Sequence, residues 1–311
     1  MTPLPRALLA AFGVDRLIEH EALGPFTTFG IGGPADWFLD VTTNDEVVTA
    51  VRAAAEDAVP LVVLGGGSNV LVSDQGVRGL VLRPRTTRIE RQSEHLVLAD
   101  AGVTINGLVR WSILGGLGGL EAWAGMPGSV GGALVGNAHW AGRLIGEHVE
   151  SVSLLTREGA VLVVPAERME FGYDRSRVQH TGEIVLSATF RLAPGQQPGA
   201  LRAAARASLL HRKHTQPLRL PSAGCMFQNP APGIDAVPDG IPWSAGALID
   251  RAGLKGRAVG AARVSPIHAN FIVNEGGATA RDVRALVELC RDEVRRQFGV
   301  LLRDEIVYLG A

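Results

Sequence analysis

With 311 residues, 46% of them hydrophobic and 20% charged, the chain has the composition of an ordinary globular protein and the length for two or three domains. A formal net charge of −1 argues against a nucleic-acid or anionic-membrane partner, because those partners select clustered positive charge. Two cysteines, Cys225 and Cys290, make no disulfide framework and favour the cytosol, and no apolar run approaches the ~20 residues that cross a bilayer. No secretory signal is expected in residues 1–14, where a short apolar patch runs into Asp15-Arg16 without a cleavage pattern. Glycine, at 39 residues, clusters beside apolar runs, which points to tight turns and close backbone approach to a ligand.

Residues 5–19 are expected to form a helix, followed by a loop rich in backbone donors at 26–34. Gly30-Ile31-Gly32-Gly33-Pro34-Ala35 has a loose dinucleotide-binding spacing, but residues 36–41 alternate as a strand does and no helix follows. Thr43 and Glu46 have capping-box spacing ahead of Val47, Val48, Val51, Ala54 and Ala55 at helical period. Residues 61–72 then read as strand, tight turn and strand around Gly65-Gly66-Gly67-Ser68-Asn69. Successive glycines permit positive φ, and their amides form concave anion sites, so a phosphate-bearing cofactor is the natural guest. Val70 stands where a dinucleotide fingerprint needs its last glycine, and no Gly-Lys-Ser/Thr follows any glycine cluster, which excludes a P-loop.

Short strands are expected at 79–83, 87–91 and 96–100, then a helix that Thr104 caps and Gly115 ends. The second glycine block, Ala124-Gly125-Met126-Pro127-Gly128-Ser129-Val130-Gly131-Gly132-Ala133, closes on Asn137-Ala138 and suits backbone contact with a flat or extended ligand. A hairpin follows at 149–156 and 160–164. Next comes Phe171-Gly172-Tyr173-Asp174-Arg175-Ser176-Arg177 ahead of a strand at 184–192. Residues 194–198 make the best linker, and the main domain boundary is placed there, before a helix near 200–212. The turn-rich stretch 222–230 carries Cys225. Cys290 falls on the apolar stripe Val283, Leu286, Val287, Cys290, Val294, Phe298 of a helix bounded by Thr279 and Gly299, a core position. Arg303, Asp304 and Glu305 interrupt the otherwise apolar last strand, 300–309.

Taken together, these blocks resemble the UDP-N-acetylenolpyruvoylglucosamine reductase family. The matching motifs are Thr27-Thr28-Phe29-Gly30-Ile31-Gly32-Gly33-Pro34-Ala35, Gly65-Gly66-Gly67-Ser68-Asn69-Val70-Leu71 and Gly125-Met126-Pro127-Gly128-Ser129-Val130-Gly131-Gly132 with Asn137-Ala138, joined by 222–230, 268–274 and 303–310. The resemblance implies an α+β protein with a two-lobed non-Rossmann FAD domain of the vanillyl-alcohol-oxidase type (lobes 1–84 and 85–197) and a substrate-binding C-terminal α+β domain (198–311). It further implies NADPH as hydride source for FAD, reduction of the enolpyruvyl methylene carbon of UDP-N-acetylglucosamine enolpyruvate, and a product, UDP-N-acetylmuramate, bound for peptidoglycan. The expected enzyme is a cytoplasmic monomer handling small molecules, without metal, nucleic acid or membrane partner.

Carried over residue by residue, Cys225 is the proton donor and Glu305 the C-terminal catalytic glutamate. An unperturbed thiol, pKa about 8.5, is protonated at neutral pH. The family's arginine follows its tyrosine directly, whereas here Asp174 intervenes and Arg175 comes one residue late, with Arg177 as the fallback. Tyr173, Asn229 and His268 are expected substrate contacts. The expected cofactor contacts are Gly65, Gly66, Gly67, Ser68, Asn69, Gly125, Pro127, Gly128, Ser129, Gly131, Gly132 and Asn137. Ser68 stands where related flavoproteins carry a flavin-linked histidine, so FAD is expected to be non-covalent. The short span from Ser176 to Ser222 resembles the subtype without an inserted tyrosine loop. The competing readings are another FAD oxidoreductase of this broad fold and a nucleotide-binding protein without turnover.

Overall fold

A computed structural model describes residues 5–310; Met1–Leu4 and Ala311, and with them the start of the stretch read for a signal, lie outside the described residues. The chain forms two compact units. One takes the residues up to Glu21 with Ala35–Gly66 and Arg78–His211; the other takes Ala22–Pro34, Gly67–Val77 and the residues from Arg212 onward. Compactness thus divides the chain inside the helix after the linker, and joins two early segments to the tail.

In the first unit, α1 (Arg6–Phe12) is shorter than expected. Gly13, at φ 76°, ends it, and Ile18–Glu19 pairs as a strand with Phe38 and Trp37. Pro5 offers no capping side chain, and Asp57 accepts the N–H groups of Ala7 and Leu8 instead at 2.9–3.1 Å. Helix α2 (Asn44–Glu56) is capped by Thr43 Oγ1. The Glu46 carboxylate reaches back one residue further than a capping box requires, to the Thr42 N–H at 2.7 Å. The first sheet has the order Ile18–Glu19, Ala35–Val41, Val77–Pro84, Leu61–Val63, its last pair parallel. Its core gathers Leu8, Leu39, Val47, Val51, Leu80 and Leu82.

A second sheet in this unit runs Val161–Pro165, Val149–Leu155, Ile184–Arg191, Leu96–Asp100, Ile89–Arg91, antiparallel throughout. Sharing its core are α3 (Ile105–Leu114), capped by Thr104, and α4 (Val130–Val135), a short helix that starts inside the second glycine block. Trp123, Phe190 and Leu134 lie at the centre of this core. Helix α5 (Val178–Thr181) and helix α6 (Pro198–Thr215) follow.

The second unit is built on α7 (Ala245–Arg251) and α8 (Ala280–Phe298). Helix α8 packs on the antiparallel strands Ala258–Val259, Ala262–Val264 and Ile272–Asn274. Thr279 and Asp282 make a reciprocal capping box, Gly299 at φ 72° closes the helix, and Cys290 is buried on the expected stripe. Val70–Val72 does not return beside Leu61–Val63. It pairs in parallel with Val307–Leu309, so the glycine turn is where the chain passes from one unit to the other rather than a hairpin. The last strand is correspondingly short, because residues 302–305 follow an irregular path fixed by other contacts.

Candidate active site

In the first unit the two glycine blocks meet. A cavity of about 120 Å³ is lined by Gly65 from the first block, by Ser129, Gly131 and Gly132 from the second, and by apolar side chains including Val63, Ala101 and Val185. A Cβ on Gly66 would stand 2.5 Å from the Cα of Gly128, and one on Gly65 would stand 2.6 Å from Ser129 Oγ. Only glycine allows that approach. The N–H groups of Gly65 and Gly66 take no hydrogen bond within the described residues. Available turn amides beside a mostly apolar, close-packed slot, which Glu183 also lines, fit part of an extended, phosphate-linked cofactor such as FAD.

The other expected cofactor contacts are not among the residues that line this cavity. Gly125 packs against Leu209 and donates to Asn106 Oδ1 at 2.7 Å, and neither it nor Pro127 lines the cavity. Asn137 is fully buried: its Oδ1 accepts the Gly146 N–H and its Nδ2 donates to the Gly172 carbonyl, both at 2.8 Å. Gly67, Ser68 and Asn69 belong to the second unit, where Gly67 O accepts the Thr28 N–H and Asn69 Nδ2 donates to Glu305 O.

The bond from Asn137 steadies a tight turn in which Gly172 and Arg175 exchange backbone hydrogen bonds at 3.0 and 3.3 Å, with Tyr173 and Asp174 at the tip. Asp174 adopts φ 50°, the left-handed conformation such tips need and aspartate tolerates. Tyr173 is exposed and its ring lies 4.6 Å from that of His139, whose pKa burial lowers. The Arg175 side chain is exposed and carries no hydrogen bond or ion pair among the described residues. Arg177 is engaged: it holds Glu183 through Nε at 2.9 Å and Nη2 at 2.8 Å.

In the second unit, residues 225–228 are held on both sides. On one, Cys225 bridges Phe271 and the Met226 N–H donates to Asn270 O at 2.8 Å. On the other, the Glu305 N–H donates to Met226 O and the Gln228 N–H to Arg303 O, each at 2.9 Å. Of the three charges that interrupt the last strand, Arg303 is paired with Asp235 and Asp304 with Arg291. The third, Glu305, stands near the Cys225 sulfur. Burial, and then the Glu305 carboxylate, push the thiol pKa well above its usual value, while Arg212 and a hydrogen bond with the Asn270 side chain act the other way. Cys225 and Glu305 therefore come together, in company with two residues that were not singled out from the sequence. Arg212 had a readable signal, since it continues the 201, 205, 208 stripe of α6 and is 5% exposed.

Asn229 Oδ1 accepts the Ala245 N–H at 3.1 Å, at the start of α7. His268 Nδ1 accepts the Asn270 N–H at 3.3 Å, and burial, then Lys255, lower its pKa. The ring is thus neutral at pH 7 and carries its proton on Nε2.

Residues 216–309 match the C-terminal domain of UDP-N-acetylenolpyruvoylglucosamine reductase, and residues 35–164 match an FAD binding domain. A UDP-N-acetylenolpyruvoylglucosamine reductase from Gloeobacter violaceus is 39% identical over 297 residues, covering 95% of this chain and 97% of the relative. The Prochlorococcus marinus protein of the same name is 39% identical over 313 residues, covering 100% and 98%. The crystal structure of the reductase from Thermus caldophilus aligns with a TM-score of 0.80 at 35% identity, covering 95% of this chain and 99% of that one.

Proposed function

We infer the roles of individual residues from one premise: this chain belongs to the UDP-N-acetylenolpyruvoylglucosamine reductase family. Its reaction is the reduction of the enolpyruvyl group of UDP-N-acetylglucosamine enolpyruvate to UDP-N-acetylmuramate, with FAD as cofactor and NADPH as reductant. When bound, FAD would supply the hydride chemistry that links NADPH to the enolpyruvyl group.

The chain's own residues do the rest. Cys225 breaks its S–H bond and gives the proton to the carbon that bears the carboxylate, completing the lactyl ether. Support comes from the pairing of 226–228 with 303–305, which brings Glu305 near a thiol that burial keeps protonated. Glu305 assists the developing enolate and the delivery of the proton. In the first unit, Arg175 binds the substrate carboxylate, a role that its exposure and the absence of a side-chain partner among the described residues favour over Arg177. Tyr173, Asn229 and His268 contact the substrate, His268 through Nε2–H.

Gly65, Ser129, Gly131 and Gly132 hold FAD at the cavity they line, with the close approach of Gly66 and Gly128 keeping side chains out of its path, and Ser68 gives no covalent link to it. We keep 1–84 and 85–197 as the flavin lobes, each with its own sheet and core, and 198–311 as the main substrate-binding stretch. No described helix is long and apolar enough to cross a membrane. We read the enzyme as a cytoplasmic monomer, since one chain carries the whole set of candidate residues.

The test is anaerobic. The purified yellow protein should bleach with NADPH and regain its colour with UDP-N-acetylglucosamine enolpyruvate, and C225A should bleach normally yet regain colour about a hundredfold or more slowly. Full-speed reoxidation by C225A would remove the thiol from the mechanism. Flavin left on the acid-precipitated protein would contradict non-covalent binding.

A further inference from the structure

We propose that Asn270 positions Cys225 and accepts on its carboxamide N–H the charge left on sulfur when the proton is delivered. The proposal rests on the reading of Cys225 as proton donor. Asn270 is 3% exposed, and three of its polar groups are spent on the residues just after Cys225. Its Oδ1 accepts the Phe227 N–H at 3.0 Å, its Nδ2 donates to the Phe227 carbonyl at 2.7 Å, and its backbone carbonyl accepts the Met226 N–H. The side chain acts as a two-pronged clamp on the backbone that carries the thiol. An amide nitrogen has two hydrogens. One goes to Phe227, which leaves the other for Cys225, and a hydrogen bond from the Asn270 side chain is among the causes that favour the thiolate.

The reason for such a donor lies in what surrounds the sulfur. When the S–H bond breaks and the new C–H bond forms, the electron pair of the S–H bond stays on sulfur. The negative charge of the enolate thereby moves onto a half-buried sulfur that already lies near the Glu305 carboxylate. Two charged groups act on the sulfur, Glu305 opposing the thiolate and Arg212 favouring it, and the Asn270 N–H adds a neutral donor. Behind Asn270, His268 accepts its backbone N–H and stays uncharged, so it does not compete for the thiolate. A proton from solvent then restores the thiol.

The test uses the flavin-loaded enzyme and N270D, which keeps an acceptor for the Phe227 N–H but replaces the donor by a carboxylate. Ultraviolet titration of the thiolate, with Cys225 isolated by difference from C225A, is expected to show its pKa higher in N270D than in wild type. Reduction by NADPH is expected to be unchanged, while reoxidation by the enolpyruvyl substrate slows about tenfold to a hundredfold, the range for a lost hydrogen bond to a charge. In the C225A background, N270D should bring no further loss. An unshifted thiol, or equal slowing of both half-reactions, would reduce Asn270 to a scaffold and overturn the proposal. If N270D does not fold, N270G, which keeps the backbone bond to Met226, is read by the same titration. Full-speed reoxidation by C225A would instead strike down the proton-donor reading itself, a result separable from an inert N270D in an enzyme that needs its thiol.

Discussion

A proton donor is useful only while it holds its proton, and the surroundings of Cys225 favour that state. Burial and Glu305 both raise the thiol pKa, and for an acid that is neutral when protonated a raised pKa extends the loaded form to higher pH. Reoxidation of the reduced enzyme by substrate is therefore expected to stay level through pH ~8.5, where an ordinary thiol would be half ionised. Single-turnover rates across that range check it; a fall centred on the ordinary thiol value would show that the burial does not act on the chemistry. The two arginines give a second expectation, because their surroundings differ. R177A leaves the nearly buried Glu183 carboxylate uncompensated and should lower the melting temperature at a cost of about 1–3 kcal/mol, with turnover per folded molecule kept. R175A should do the reverse, and thermal melts beside steady-state rates separate them. Cys225 and Glu305 can be singled out as candidates in the sequence because each stands in a motif whose neighbours are also informative. Asn270 lay inside a quoted motif, yet its clamp on Phe227 depends on a pairing across 43 residues that no local pattern reports.

Helix α8 shows what local sequence reaches and where it stops. Its capping box, its stripe of Val283, Leu286, Val287, Cys290 and Val294, and its closing Gly299 all lie within a few residues of one another and were readable in order. Its strongest N-terminal acceptor was not. Asp74 Oδ1 takes the Ala280 N–H at 2.7 Å and Oδ2 the Arg281 N–H at 3.0 Å, from more than 200 residues away. A carboxylate on two first-turn amides is a charge-assisted cap, so D74A is expected to cost about 1–2 kcal/mol despite the intact Thr279 box, measurable by urea denaturation. A cost near zero would mean that the box alone satisfies that helix end. The same limit explains the glycine turn after Leu64. Two strands flanking three glycines were evident from composition, but period-2 alternation does not say which sheet a strand joins, and Val70–Val72 finds its partner at Val307–Leu309. At the other end of the chain, Ala7, Leu8 and Leu9 suit the helix expected over residues 5–19, but Gly13 in its positive-φ conformation stops it after Phe12.

At the scale of the whole chain, the informative fact is that the second unit is not a tail. Its core includes Phe29, Ile31 and Leu71 beside Leu248, Val283 and Leu302, so residues separated by more than 170 positions share one interior. The early segments also supply backbone partners. Val70–Val72 is the only strand paired with Val307–Leu309 among the described residues, Thr28 Oγ1 donates to Ser222 O at 2.7 Å, and Asn274 Nδ2 donates to Phe29 O at 3.1 Å. A fragment of residues 198–311, the natural cut at the proline-rich linker, lacks all of these. It would expose the places of Phe29 and Leu71, each a fully buried large side chain worth about 1.5–3 kcal/mol of burial, and would leave the Asp74 cap of α8 unmade. Set against a typical domain stability of roughly 5–15 kcal/mol, those losses are large enough to remove a cooperative fold. The fragment is expected to retain some α8 helicity by circular dichroism, to show no sigmoidal melt, and to regain one when co-expressed with residues 1–197. A sharp melt of the fragment alone would mean that the interior closes without Phe29 and Leu71, and would return residues 22–34 and 67–77 to the status of connections.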